Sequence, residues 1–79
     1  MATRAYIFVE TAVGKTIDVL DHLRNIPSIS SVDAVTGPYD IIAILEADNL
    51  NSVGDLVTGE IHTIGGVIRT ITCLSVRGS

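Results

Sequence analysis

The chain is poor in the residues that most often carry chemistry. Of its 79 residues one is cysteine, none is tryptophan, one is phenylalanine, two are tyrosine and two are proline. A single cysteine, Cys73, excludes an internal disulfide and a thiolate metal cluster, which suits a reducing cytoplasm. The two histidines, His22 and His62, do not supply a metal site in its place, and each is expected on or near the solvated side of its helix. Cations are scarce too: five Lys plus Arg stand against nine Asp plus Glu, for a net charge of −4. They are scattered at Arg4, Lys15, Arg24, Arg69 and Arg77, so there is no basic stripe to neutralise a run of phosphates and no direct nucleic-acid binding is expected. No apolar run reaches the roughly 18 residues that span a bilayer. The start, Met1-Ala2-Thr3-Arg4, leads into a strand-like segment rather than a signal-peptide core, so a soluble cytoplasmic protein is expected. Linkers and low-complexity segments are also missing, and residues 1–79 read as one domain.

What is present is aliphatic. Hydrophobic residues make up 47% of the chain, and its mean hydropathy is +0.49. A domain of this size buries only about 60% of the surface its unfolded chain exposes. So apolar a small chain is expected to place part of that surface in a subunit interface.

The pattern along the chain alternates between two periods. Residues 3–10 place Ala5, Ile7 and Val9 on one face and Tyr6 and Phe8 on the other, a strand apolar on both sides and expected to be covered on both. Residues 14–25 carry Ile17, Leu20 and Leu23 at helical spacing, with Val19 and Ile26 widening the stripe and Pro27 closing it. Two β-branched runs, 29–36 and 41–47, follow. Asp48 or Asn49 then offers an N-cap to a second helix, with Leu50, Val53, Leu56, Val57, Ile61 and Ile64 as its apolar side and Gly65-Gly66 as its end. Residues 67–76 form the last strand, in which Cys73 is expected to be a small buried hydrophobe. The order βαββαβ predicts an α+β, ferredoxin-like fold with both helices on one face of a four-stranded antiparallel sheet. The other face is left bare, and packing it on a second copy, as a dimeric α+β barrel, removes it from water.

Between the two central runs lies Val35-Thr36-Gly37-Pro38-Tyr39-Asp40. Proline fixes φ and glycine tolerates positive φ, so this is a hairpin turn, and it sets a phenol and a carboxylate at the strand mouth. This turn in its hairpin context, the aliphatic run leading to Asp48, and Ile64-Gly65-Gly66-Val67 before a threonine-rich strand resemble the effector-binding (RAM) domain of the Lrp/AsnC regulators. The resemblance covers essentially the whole chain. Family regulators carry an N-terminal helix-turn-helix, whereas this sequence begins at the first strand, so it is similar to the stand-alone form of the module.

The resemblance implies an amino-acid effector bound between dimers of a ring-like homo-oligomer, near the hairpin turn and the final strand. It also implies mixed assembly with a full-length DNA-binding regulator of the same type, and neither a cofactor nor a metal. Matched by motif, the ligand-binding residues are Gly37, Tyr39 and Asp40 in the turn and Thr70 and Thr72 in the last strand. An ammonium needs an acceptor such as Asp40, and a carboxylate needs donors such as backbone N–H groups near Gly37 and a threonine hydroxyl. Pro38 departs from the family pattern and removes one of those donors. Each residue also has a structural reading. Gly37 and Pro38 suit any tight turn, Asp40 can accept turn N–H groups, Tyr39 suits an interface, and Thr70 and Thr72 are good strand formers.

An enzyme of the dimeric α+β barrel type, a monooxygenase or isomerase, is the alternative. Such enzymes place His, Trp or Asn side chains inside the pocket, and the inward positions here are nearly all aliphatic. No His, Cys or Ser sits in an activated arrangement, so the chain reads as a non-enzyme.

Overall fold

The computed structural model of the chain describes residues 3–77. Met1, Ala2, Gly78 and Ser79, which the single domain 1–79 includes, lie outside the described residues. The elements are β1 (Thr3–Thr11), α1 (Thr16–Arg24), β2 (Ile29–Ala34), β3 (Ile41–Ala47), α2 (Leu50–Leu56), a π-helical turn (Val57–Ile61) and β4 (Val67–Leu74). The strands form one antiparallel sheet in the order β2-β3-β1-β4, the ferredoxin-like arrangement, with β2 and β4 at the edges.

Directly opposed residues share a face, so the register sorts the side chains. Ala5, Ile7 and Val9 of β1 stand opposite Leu45, Ala43 and Ile41 of β3, and all six are fully buried. Val19, Leu20 and Leu23 of α1 close over them together with Val53 and Leu56 of α2 and Val57 and Ile61 of the π turn. Each large aliphatic side chain removed from water in this layer contributes about 1.5–3 kcal/mol.

The helices depart from the expected stripes in two places. Ile17 is 64% exposed, because at 100° per residue it falls about 110° from the centre of the Val19, Leu20 and Leu23 stripe. The second helix does not run regularly to Ile64. It starts on Asn49, whose side chain accepts the Ser52 N–H, and its α-helical part ends at Leu56. It then widens into the π turn, in which the His62 N–H donates to the Val57 carbonyl. Gly54 and Gly59 weaken the helical preference of this stretch, and the wider turn keeps Val57 and Ile61 on the core side.

The opposite sheet face carries Tyr6, Phe8, Ile42, Ile44, Ile71 and Cys73, the partners of one another across β1, β3 and β4. Both helices pack on the other side, and none of the described elements covers this face. Tyr6 and Phe8 are only half-buried, so β1 is closed on one side by its own chain and not on both. Cys73 is exposed rather than buried, because its position opposite Tyr6 on an edge strand puts it on this open face. The strand ends are also shorter than the apolar runs: β2 stops at Ala34 and β4 at Leu74.

Candidate ligand-binding site

The hairpin turn, the end of β1 and the start of β4 meet at one end of the sheet. The Val35 N–H donates to the Asp40 carbonyl at 2.9 Å, closing the loop, and Gly37 has φ +148°, a conformation that favours glycine. Asp40 ties this loop to β1 twice. Its N–H donates to the Val9 carbonyl at 3.0 Å, and its Oδ2 accepts the Thr11 N–H at 2.8 Å. That N–H lies where the β1–β4 register shifts between Glu10 and Thr11, so the carboxylate serves a backbone group at the irregularity. Thr11 continues the junction: its hydroxyl pairs with that of Thr16 at 2.8 Å, at the start of α1. The neighbouring Ala12 N–H donates to the Gly66 carbonyl at 2.8 Å.

Tyr39 lies on the open sheet face. Its ring meets Phe8 edge to face at 5.7 Å, and the Arg69 guanidinium stands 5.9 Å from its centroid while holding Glu10 at 3.0 Å. Phe8, Val35, Gly37, Pro38, Tyr39 and Ile42 line a shallow apolar cup of about 280 Å³ here. A second ion pair, Arg4 with Glu46 at 3.2 Å, joins β1 to β3 towards the other end of that face. The Arg4 guanidinium is held above its usual range by Tyr6 and, next, by Glu46.

Thr70 and Thr72 stand opposite Val9 and Ile7, which places their side chains on the helix-side face of β4. Thr70 lies towards the turn's end of the sheet and Thr72 at mid-strand, both on the face opposite to that of Tyr39, with β1 between β3 and β4. A single copy does not bring all five into one pocket. Thr70 has a partner that sequence reasoning missed: the His62 Nε2 lies 2.7 Å from its hydroxyl. His62 is exposed, as expected, and its ring also pairs with Thr70. The π turn that delivers it leaves no periodic trace in the sequence, and the irregular glycine spacing at 54 and 59 is the one available hint. His62, Val67, Ile68, Arg69 and Thr70 line a groove of about 420 Å³.

The ladder also fixes which β4 backbone groups are free. The Ser75 N–H donates to the Arg4 carbonyl at 2.9 Å, so with the register alternating, Cys73, Ile71 and Arg69 face β1 in turn. The N–H and C=O groups of Thr70, Thr72 and Leu74 point outward at the edge. A wider concavity of about 580 Å³, between α1 and Gly65-Gly66, is lined by Lys15, Asp18, Asp21 and His22 among others and holds none of the motif-matched residues. Among the described residues no group of three His, Cys, Asp or Glu side chains is placed to hold a metal ion, and no helix is long and apolar enough to cross a membrane.

Compared with known proteins, residues 4–78 match the model of the Lrp/AsnC ligand binding domain. The chain belongs to the Lrp/AsnC ligand-binding domain family. An uncharacterized HTH-type transcriptional regulator of Pyrococcus furiosus is 33% identical over 58 residues, which are 73% of this chain and 39% of that protein. The chain thus spans about two-fifths of the length of the curated relative. A Thermus thermophilus protein of known structure superposes with a TM-score of 0.92 at 27% identity, covering 98% of this chain and 96% of that one. A Neisseria meningitidis transcriptional regulator, solved as its L-Met complex, superposes at 0.83 with 20% identity over 95% of this chain and 50% of that one. At that identity the likeness establishes the Lrp/AsnC fold and no more.

Proposed function

We propose that this chain is an amino-acid-sensing regulatory module of the cytoplasm, a single domain that works through assembly rather than catalysis. The observation that carries the reading is the family match over residues 4–78 to a domain defined by ligand binding. An amino-acid ligand is supported by the Neisseria regulator, whose structure is a complex with L-methionine. Two copies pack open face on open face, burying Tyr6, Phe8, Ile42, Ile44 and Ile71, and dimers join further into a ring. The ligand then sits where the hairpin turn of one copy, with Gly37, Tyr39 and Asp40, meets the β4 edge of another, with Thr70 and Thr72. Asp40 still has Oδ1 for an ammonium, because only Oδ2 is engaged by Thr11.

Regulation reaches DNA through mixed assemblies with HTH-bearing relatives of the P. furiosus type, not through this chain's own contacts with phosphates. A thermal-shift screen of the twenty amino acids, paired with light scattering, tests the reading. Stabilisation by at least one amino acid in a multimer supports it, and a monomer that responds to none overturns it.

A further inference from the structure

We propose that the apolar cup beside the hairpin turn receives Val76 from the C-terminal segment of a second copy, with Arg77 of that segment set against Asp33. This rests on the pairing of open faces proposed above and adds to it a seat and the side chain that fills it. The cup is preformed. Phe8 and Tyr39 meet edge to face at 5.7 Å, and Arg69 braces the Tyr39 ring at 5.9 Å while paired with Glu10. Two backbone bonds, from the Val35 N–H to the Asp40 carbonyl and from the Asp40 N–H to the Val9 carbonyl, hold the loop that forms its rim. Val35, Pro38 and Ile42 complete a lining without a carboxylate around about 280 Å³, room for a small aliphatic side chain.

Val76 is an aliphatic side chain left 98% exposed. It follows Ser75, whose N–H is bonded to the Arg4 carbonyl. The chain cannot bring Val76 to its own cup, because Arg4 and Val9 are five residues apart along β1, about 17 Å, and the cup lies at the Val9 end. Two copies packed open face on open face with their strand ends reversed carry the tail of each to the hairpin end of the other. A two-fold axis makes the exchange reciprocal, so both cups are filled. Charge favours that orientation. Arg4 and Glu10 both stand on the open face of β1, at its two ends, so reversed strands set unlike charges against each other and aligned ends set like charges together. Beside the cup, Asp33 is exposed and stands opposite the cup residue Ile42. Among the described residues neither Asp33 nor Arg77 is in an ion pair. An exposed pair contributes little, so Val76 supplies the affinity and Arg77 the orientation.

Cross-linking and sedimentation of the full chain test the proposal. In a Cys73→Ser background, Thr36→Cys combined with Val76→Cys should give a disulfide-linked dimer under mild oxidation. Leu50→Cys, on the helix side, combined with Val76→Cys should not. Val76→Asp should weaken dimerisation about tenfold or more. Arg77→Glu and Asp33→Arg should each weaken it about threefold, and the double variant should recover. A chain that dimerises without the 36–76 link, or a Val76→Asp variant that dimerises as the wild type does, would overturn the proposal and leave the pairing of open faces standing. A wild type that is monomeric at every concentration would overturn both.

Discussion

At the residue scale, Asp40 has a structural role and a proposed ligand role, which one substitution cannot separate but two can. Its Oδ2 satisfies the Thr11 N–H at a break in the β1 ladder. Asp40→Ala leaves that half-buried donor unpaired and is expected to cost about 1–3 kcal/mol, seen as a lower melting temperature and faster Thr11 amide exchange. Asp40→Asn keeps an acceptor while removing the charge. It should hold stability within about 0.5 kcal/mol yet weaken amino-acid binding about tenfold or more if Oδ1 receives the ammonium. Affinity unchanged in Asp40→Asn would assign the residue to turn structure alone. The sequence made Asp40 and Tyr39 visible because they sit beside Gly37-Pro38, a local signal. The His62–Thr70 contact joins residues eight apart through a π turn, and no helical or strand period encodes that geometry.

At the scale of elements, the strands were legible because β1 and β3 are short apolar runs bounded by polar and turn residues. Their ends were not, since β-branched residues past Ala34 and Leu74 have the composition of a strand without a ladder partner to extend it. The loop before β4 is more constrained than its glycines suggest. Gly66 has φ +102°, and a Cβ there would stand 2.8 Å from the Lys15 Cβ and 3.1 Å from Val19 Cγ2. Gly66→Ala is therefore expected to destabilise by more than about 1 kcal/mol in denaturant titration. Gly14→Ala, at φ +79° but in open space, carries only the backbone term and should cost less. Asn49→Ala removes the cap on Ser52 and should cost about 0.5–2 kcal/mol by the same measurement. Equal losses at Gly14 and Gly66 would mean that the α1 contact carries no weight.

At the scale of the whole molecule, the open sheet face decides how the chain behaves. Ile71 lies on that face, 41% exposed and opposite Phe8, so Ile71→Asp should spare the core and shift sedimentation towards a monomer. Cys73 shares the face. Its alkylation by iodoacetamide should slow as protein concentration rises and the face is covered, whereas a concentration-independent rate would place the interface elsewhere. With a net charge of −4, the purified chain should give no mobility shift with duplex DNA at low-micromolar concentration even in low salt, where phosphate contacts are strongest. The central claim is that this Lrp/AsnC domain senses an amino acid. Isothermal titration of the assembled wild-type chain with each of the twenty amino acids tests it most directly: the account predicts saturable heat for at least one amino acid, and an absence of saturable heat with all twenty would contradict it.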